Sequence, residues 1–430
     1  CLTQLLQHYD ELLDMIENGN QVDLIFCDFY KCFDTIDHGI LIAKARNLGI
    51  NGPALDWIKD FLTGRTFRVR VGDEMSSSAD VLSGLPQGTC IGPILMLINN
   101  CDIEDAVQYA VAGSLADDTK MKLVIACQED VDKMQADLNG IIQWTDDNNM
   151  KLNGGKFVLV SYNKKDYINN EYSLQDGTKI NESVTARDLG IIMENNASFR
   201  SHINKLECVC KKVVSMIFRS FVTRDASVMM PLFKTLVLSR IDYCSVLWAP
   251  SSVGELRRVE RIQANFTLRL DLARLPNGKR KNYWQRLKEL NLYSVQRRFE
   301  RYSIIYVWKA YHSLVFNPGI VYERSERRGL VCKRPNFSSR LKEESFLVRG
   351  PNLFNVLPVE VRDFPCKDPS NAKESTDSFK KHLDKYLKKI PDEPPLSSNY
   401  TKYVSGFDLN GKPTNSIVRL NLPPYSNDTL

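Results

Sequence analysis

The chain has 430 residues, of which 43% are hydrophobic and 25% charged, so its composition is that of a globular protein. Its length allows two or three domains. The composition excludes a collagen-like repeat, a disulfide-stabilised miniprotein and a broadly disordered chain. The longest apolar run, around 91–98, is far too short to span a membrane.

Charge is divided unevenly along the chain. Residues 201–350 carry 29 Lys and Arg against 12 Asp and Glu, whereas residues 1–200 carry 17 against 30. A basic block beside an acidic one indicates a polyanionic partner, although solvated helix faces would give the same count. The 11 cysteines are odd in number and include no CxxC pair, which favours reduced thiols inside a cell over a disulfide framework or a zinc site.

Hydrophobic spacing predicts the elements in chain order. Apolar residues at helical spacing predict helices over 1–18, 40–48, 53–62, 88–99, 129–148, 199–221 and 256–266. Apolar runs and alternation predict strands over 22–26, 66–71 and 120–125, and 109–114 is a weaker strand candidate. From residue 390 onward Pro, Ser and Asn dominate, which predicts an irregular tail.

Three segments carry candidate chemistry. A predicted strand runs into Asp28, a Gly-Leu-Pro-Gln-Gly loop precedes a helix, and Asp117 and Asp118 lie at a predicted hairpin turn. Adjacent buried carboxylates repel each other unless a cation neutralises them, and Asp28 would complete a hard-oxygen site that suits Mg²⁺. Taken singly, each segment is as well explained by a solvated turn, a plain loop or a helix cap.

The order and spacing of these segments resemble the reverse transcriptases of non-LTR (LINE-type) retrotransposons, above all the jockey-like and chicken-repeat-like clades. The similar segments are 27–38 (CDFYKCFDTIDH, motif A), 83–88 (SGLPQG, motif B), 116–119 (ADDT, motif C), 152–156 (LNGGK, motif D) and 188–191 (DLGI, motif E). The similarity continues through 241–248, 283–287 and 297–302. In motif C, Leu115 stands where the family has an aromatic residue.

The resemblance implies an α+β fold of the right-hand polymerase type with a C-terminal, mainly helical region. The implied domains are partial fingers and palm over 1–195, a thumb over 196–270, a basic helical accessory region over 271–390 and an irregular tail over 391–430. Because the chain begins at Cys1, inside the fingers of the family, we expect a fragment without the N-terminal fingers and the endonuclease.

The resemblance also implies catalytic roles. Asp28, Asp117 and Asp118 would be the catalytic metal ligands, holding two Mg²⁺ ions, with Mn²⁺ as an alternative. The implied nucleotide-binding residues are Phe29, Phe33, Gln87, Gly88 and Lys156. Among these, Phe33 would be the steric gate against a 2′-hydroxyl and Lys156 a general acid or phosphate contact, whereas core packing and solvation are the ordinary roles of such residues.

Two further sets follow from the same resemblance. Leu189 and Gly190 would form the primer grip. The basic helices would contact nucleic acid through Lys205, Lys211, Lys212, Arg219, Arg257, Arg258 and Arg261.

The implied activity is RNA-directed DNA polymerisation, with an RNA template, a DNA primer or target and deoxynucleoside triphosphates as partners. No membrane partner is expected, and the implied location is the cytoplasm and nucleus. One alternative is an inactive retroelement remnant that only binds nucleic acid. Another is a polymerase that makes RNA, which the bulky Phe33 disfavours.

Overall fold

The computed structural model describes residues 1–115, 118–165, 168–275, 277–333, 335–337, 339–389 and 392. Helices and strands are both present, and the strands fall into one five-stranded sheet and several hairpin-sized sheets, which confirms the α+β class. The chain forms two compact units, residues 18–189 and residues 1–17 together with 190–430, called here the N-terminal and the C-terminal unit. The predicted division at 195, 270 and 390 stays a prediction.

The elements alternate irregularly along the chain. The helices are α1 (Leu2–Ile16), α2 (Cys32–Thr35), α3 (His38–Asn47), α4 (Pro53–Leu62), α5 (Gly92–Asn99), α6 (Gln128–Asp147), α7 (Arg200–Ser220), α8 (Ala226–Phe233), α9 (Ser239–Asp242), α10 (Ser245–Trp248), α11 (Val253–Leu268), α12 (Tyr283–Glu289), α13 (Val295–Tyr311), α14 (Arg340–Glu344), α15 (Phe346–Asn355), α16 (Val359–Arg362) and α17 (Ala372–Leu387). The strands are β1 (Gln21–Cys27), β2 (Thr66–Phe67), β3 (Arg70–Val71), β4 (Glu74–Met75), β5 (Ala79–Asp80), β6 (Val111–Leu115), β7 (Asp118–Ile125), β8 (Val158–Tyr162), β9 (Asn181–Glu182), β10 (Thr185–Asp188), β11 (Ile191–Glu194), β12 (Tyr322–Ser325) and β13 (Gly329–Cys332).

The main sheet of the N-terminal unit has the strand order β6-β7-β1-β8-β9. Strand β1 lies in its centre and pairs antiparallel with both β7 and β8. Because β1 is covered on both sides, six of its seven residues are buried, and its residues 24–27 are all apolar rather than alternating. The buried Asp23 is the polar exception, and it accepts from the Tyr172 hydroxyl at 2.7 Å.

Helix α6 covers one face of this sheet. Its apolar stripe packs against side chains that alternate along β1 and β7, as the two-residue period of a strand requires. The contacting residues are Val131, Met134, Leu138 and Ile141 on the helix and Ile25, Cys27, Met121 and Ile125 on the strands. Because Cys27, the last residue of β1, packs against α6, the side chain of the next residue, Asp28, would point to the opposite face of the sheet.

Most predicted elements are confirmed to within a few residues, and three differ. The 66–71 strand is two short exposed strands, β2 and β3, because its apolar residues have no core to cover them. The 88–99 helix begins only at Gly92, since Pro93 favours the first helical turn and residues before it form the loop. The weak candidate 109–114 forms β6, which pairs with β7 along its whole length.

The C-terminal unit is mainly helical. Helix α7 buries the stripe Ile203, Leu206, Cys210, Val214 and Ile217, close to the predicted one. All eleven cysteines lie in the described part of the chain and none forms a disulfide. No helix in the described ranges is long and apolar enough to cross a membrane.

A carboxyl group is buried at the start of α13. Glu260 is fully buried, and it accepts hydrogen bonds from the Tyr283 hydroxyl at 2.5 Å and the Val295 backbone N–H at 3.1 Å. Burial raises the pKa of Glu260 to about 7, and the nearby Asp392 acts in the same direction, whereas the hydrogen bonds oppose the shift. The folded state therefore holds a proton on Glu260 at a pH where the unfolded chain has released it.

We expect the free energy of unfolding of the C-terminal unit to fall as pH rises from about 5 to 8, because the raised folded-state pKa makes folding take up a proton in this window. In Glu260→Gln this component of the pH dependence should disappear. Urea unfolding at several pH values measures it. Glu289→Gln, which alters a surface glutamate, should keep the wild-type dependence, and identical pH profiles for the two variants would contradict the assignment.

Candidate active site

The register of the central strands places two of the predicted metal ligands. Strands β1 and β7 pair antiparallel, with Cys27 opposite Thr119 as the last pair. Continued by one residue, this register sets Asp28 opposite Asp118, and directly opposed residues share a face of the sheet. Since Cys27 packs against α6, the alternation of side chains along the strands would put Asp28 and Asp118 on the other face.

Strands β6 and β7 meet at the motif C segment. Leu115 pairs with Asp118, and the two residues between them, Ala116 and Asp117, lie outside the described residues. The predicted role of Asp117 therefore stays a prediction. Asp118 itself is exposed at the start of β7.

Motif D lies directly against motif A. The Tyr30 N–H donates to the Lys151 carbonyl at 2.8 Å, and the Asn153 N–H donates to the Asp28 carbonyl at 2.9 Å. These two bonds bring Lys156 to Asp28, where its Nζ lies 3.2 Å from Oδ2. The two side chains are 65% and 38% exposed, so the ammonium group is free to exchange this carboxylate for another anion.

Motif B is bound to the short helix of motif A. The Gly84 N–H donates to the Ile36 carbonyl at 2.8 Å, and the Leu85 N–H donates to the Phe33 carbonyl at 2.7 Å. The exposed Gln87 follows, and its amide Nε2 donates to Asp34 Oδ1 at 3.0 Å. Helix α2 leaves these carbonyls free because a single turn cannot satisfy them internally.

The two aromatic residues of motif A differ in exposure. Phe29 is buried, with its ring centroid 6.3 Å from that of Trp144, so only its backbone is available to a nucleotide. Phe33 is partly buried and packs on the edge of the same apolar cluster. Gly88, at a φ of 80°, has open space around it. A side chain such as Phe33 that is supported on one side and open on the other suits a steric gate.

Motif E is tied to the main sheet by a buried ion pair. Lys120 and Asp188 are both 4% exposed, and the Lys120 ammonium donates to the Asp188 carboxylate. The predicted primer-grip residues Leu189 and Gly190 come next and have φ values of 45° and 88°. A left-handed pair of this kind forms a tight turn, which is where the boundary between the two units falls.

The predicted nucleic-acid contacts differ in their exposure and in their partners. Lys205, Lys211, Lys212, Arg219 and Arg261 are exposed, whereas Arg257 and Arg258 are half-buried. Lys211 forms an ion pair with Glu207 at 2.6 Å. Arg258 donates to Glu207 at 2.8 Å and to Asn204 at 2.6 Å, which joins α11 to α7. Arg258 is therefore held in a packing role by two partners.

Two residues near the site escaped sequence reasoning. His38 Nε2 donates to the Gly84 carbonyl at 2.8 Å, which gives motif B a further bond to the motif A segment. Lys120 anchors motif E. The signal for Lys120 was available, since it lies in a predicted strand and a lysine must find a partner when it is buried.

The residues present fit a divalent hard cation. Continued by one residue, the register of β1 and β7 would bring the carboxylates of Asp28 and Asp118 to one face of the sheet. Mg²⁺ in proteins commonly takes one or two carboxylates and fills its other positions with water and phosphate. The described residues contain no cluster of three or more His, Cys, Asp or Glu side chains that could hold a metal. The Lys156 ammonium at Asp28 shows that this carboxylate already attracts positive charge.

Comparison with protein families decides the class of this site. Residues 6–193 match the family described as reverse transcriptase (RNA-dependent DNA polymerase). These residues are a reverse transcriptase domain. It contains motifs A to E and all the catalytic and nucleotide-binding residues that the sequence predicted.

The relatives of the chain are polymerases of mobile elements. It is 25% identical over 274 residues to the RNA-directed DNA polymerase from mobile element jockey of Drosophila funebris, which covers 59% of this chain and 28% of the relative. It is 21% identical over 338 residues to the probable RNA-directed DNA polymerase from transposon BS of Drosophila melanogaster, which covers 74% and 37%. The predicted resemblance to jockey-like reverse transcriptases is thereby confirmed. The chain spans well under half the length of these relatives.

Among solved structures, apo telomerase from Candida tropicalis is similar at a TM-score of 0.38 and 10% identity, covering 63% of this chain and 45% of that one. A likeness at this level carries no argument about the site.

We expect Gly84→Ala to destabilise the reverse transcriptase domain more than Gly88→Ala. Both glycines have left-handed backbones, at φ of 83° and 80°, so each substitution costs roughly 1–2 kcal/mol in backbone strain. A Cβ at position 84 would also lie 2.7 Å from the Asp34 carbonyl oxygen, whereas position 88 has nothing within 4 Å. Urea unfolding measures the free energy of unfolding of the two variants. Equal losses would show that a Cβ at position 84 does not clash with the backbone of Asp34.

Proposed function

We propose that this chain is the palm and thumb portion of an RNA-directed DNA polymerase of a non-LTR retrotransposon. The proposal is that it transfers deoxynucleotides to a primer 3′-hydroxyl on an RNA template, using two Mg²⁺ ions. The observation that carries it is the assembly of motifs B and D on motif A, with motif D bonded to Asp28 and motif B bonded to the carbonyls of Phe33 and Ile36, within a domain of the reverse transcriptase family. In this proposal the main sheet is the palm, and α7 and α11 belong to the thumb.

The chemistry is an in-line displacement at the α-phosphorus of the triphosphate, in which the primer oxygen attacks and pyrophosphate leaves. Asp28 and Asp118, with Asp117, would hold Mg²⁺, which when bound stabilises the charge on the attacking and leaving oxygens. Lys156, 3.2 Å from Asp28, is within reach of the same phosphates and is the candidate proton donor to the leaving group.

The sugar and base of the incoming nucleotide would meet motifs A and B. The position of Phe33 is fixed by two contacts: its carbonyl accepts a hydrogen bond from the Leu85 N–H, and its side chain packs against an apolar cluster. A ring held in this way would exclude a 2′-hydroxyl, which favours a deoxynucleotide. Gln87, tethered to Asp34, and the open Gly88 would allow close approach of the nucleotide to the backbone.

The template and primer backbones would contact the exposed basic residues of the C-terminal unit. Lys205, Lys212 and Arg219 project from α7 away from its buried stripe. Such side chains bind phosphates without sequence preference. An activity of this kind copies an RNA template onto a DNA primer, so the proposed places of action are the cytoplasm and nucleus.

We expect Asp28→Asn to abolish primer extension on an RNA template, because the amide removes the negative charge that would hold the metal while leaving the fold in place. The measurement is primer extension by the chain with Mg²⁺, with and without a chelator. Asp73→Asn, on an exposed hairpin, is the matched control and should keep full activity. Primer extension that persists in Asp28→Asn would contradict the polymerase assignment. Nucleic-acid binding would then be the only proposed function that remains.

We expect the triple change Lys205→Gln, Lys212→Gln and Arg219→Gln to weaken binding to nucleic acid and to flatten its dependence on salt. Each lost phosphate contact lowers the slope of log affinity against log salt by roughly 0.7–0.9. Filter binding across a salt titration measures this slope. The control with the same charge change replaces the exposed lysines Lys381 and Lys385 of α17 and Lys388, which directly follows it. Equal salt slopes for both triple variants would contradict the proposal that α7 contacts the phosphates of the nucleic acid.

A further inference from the structure

A cavity of about 270 Å³ lies wholly within the C-terminal unit, between α1, the start of α7, the start of α11 and α14. It contains none of the residues of motifs A to D. Ligand pockets that enclose drug-sized molecules measure about 300–1,000 Å³, so this cavity suits a smaller ligand, of the size of one nucleobase. Its lining is mainly polar but includes the aromatic residues Tyr9, Phe199 and Trp248.

Hydrogen bonds hold two walls of the cavity in place. On one side the Tyr9 hydroxyl donates to the Ala197 carbonyl at 2.9 Å, which supports a left-handed residue at φ of 58°. On the other side the buried Arg349 guanidinium donates to the Ala249 carbonyl at 2.6 Å. Walls that are already ordered lose little entropy when a ligand binds.

Two Arg–Glu pairs line this cavity. Arg200 Nε lies 3.6 Å from Glu255 Oε1, and these side chains are 72% and 22% exposed. Arg340 Nε donates to Glu344 Oε1 at 2.8 Å, and the Ser251 hydroxyl donates to Glu344 Oε2 at 2.6 Å. The Arg200–Glu255 contact is too long for a good hydrogen bond, so both groups keep bonding capacity for a ligand.

An aromatic surface adjoins the first of these pairs. The ring of Phe199, the residue before Arg200, lies 5.0 Å from the ring of Tyr9 at a tilt of 47°. Phe199 is only partly buried, so part of its ring is open for stacking. Unpaired bases bind proteins by stacking on aromatic or guanidinium planes and by hydrogen bonds to their edges.

The combination of charges restricts the ligand. A phosphate alone would be repelled by Glu255 and Glu344, and a cation alone by Arg200 and Arg340. Guanine is the base that presents two adjacent N–H donors on one edge, which a carboxylate accepts together, and the acceptors O6 and N7 on the neighbouring edge, which a guanidinium binds. Adenine, cytosine and uracil each lack that pair of adjacent donors.

We infer that this cavity binds an unpaired guanine of a single-stranded RNA, with Glu255 accepting from N1–H and the N2 amino group and Arg200 donating to O6 and N7. The base stacks beside Phe199, and the strand continues into solvent past the exposed end of Arg200. This site goes beyond the proposed polymerase activity, because it gives the C-terminal unit a preference for one base that phosphate contacts alone cannot supply.

The test compares two short uridine RNAs that differ only in one central guanosine or adenosine, each labelled for fluorescence anisotropy. The full chain is titrated at physiological salt without triphosphates or Mg²⁺, so the result does not depend on polymerisation. We expect the guanosine strand to bind roughly tenfold more tightly, at the lower end of what one bidentate base contact supplies. In Glu255→Gln the two strands should bind equally.

Glu323→Gln removes the same charge from an exposed position on β12 and should keep the preference. Arg200→Gln should also abolish the preference for guanosine. Because the Arg200 side chain is 72% exposed, this variant tests the site even if Glu255→Gln fails to fold. Equal binding of both strands by the wild-type chain, or a preference that survives in Glu255→Gln or Arg200→Gln, would overturn the site. Free GMP that competes as well as the guanosine strand would show that the ligand is a nucleotide rather than RNA.

Discussion

The antiparallel register of β1 and β7 is the constraint on which the site depends. With Cys27 opposite Thr119, the next residue of β1 and the preceding residue of β7 would lie on the face that α6 does not cover. A shift of β1 by one residue would exchange the two faces of this strand and bury Asp28 against the apolar side chains of α6, where an ionised carboxylate is costly. The apolar side chains of β1 and β7 therefore determine where the acidic residues lie, although they take no part in chemistry.

The motif A helix organises the remaining motifs through its backbone. Carbonyl groups of Phe33 and Ile36 accept from motif B, and the backbone of Asp28 accepts from motif D. These bonds explain why motif B needs a glycine at position 84, since a side chain there would overlap the backbone of Asp34. The candidate catalytic side chains are thus positioned mainly by peptide groups, which are less mobile than side-chain contacts at an exposed site.

The basic character of the C-terminal unit has two physical origins. Some of its cations, such as Lys212 and Arg219, are exposed and available to a polyanion. Others are internal, since Arg349 and Arg362 are buried and donate to backbone carbonyls. Burial lowers the pKa of Arg362, and its hydrogen bonds to the carbonyls of Leu330 and Arg328 satisfy a charge that would otherwise be costly to bury. Net charge counted along the chain therefore overstates the surface that can bind nucleic acid.

Much of the fold was predictable because it depends on local pattern. The stripe of α7 and the apolar run of β1 follow from the periods of helix and strand, and the order of motifs A to C was enough to indicate a reverse transcriptase. The positions of Asp28 and Lys156 were also predicted, but their contact was not, because 128 residues separate them and only the pairing of motif D with motif A joins them. The same holds for Phe29, Arg258 and Glu255, whose burial, pairing or place in a cavity depends on segments distant in sequence. Sequence alone determined which residues could do chemistry, whereas tertiary structure decided which of them meet, because hydrogen bonds and burial act through space and leave no periodic trace along the chain.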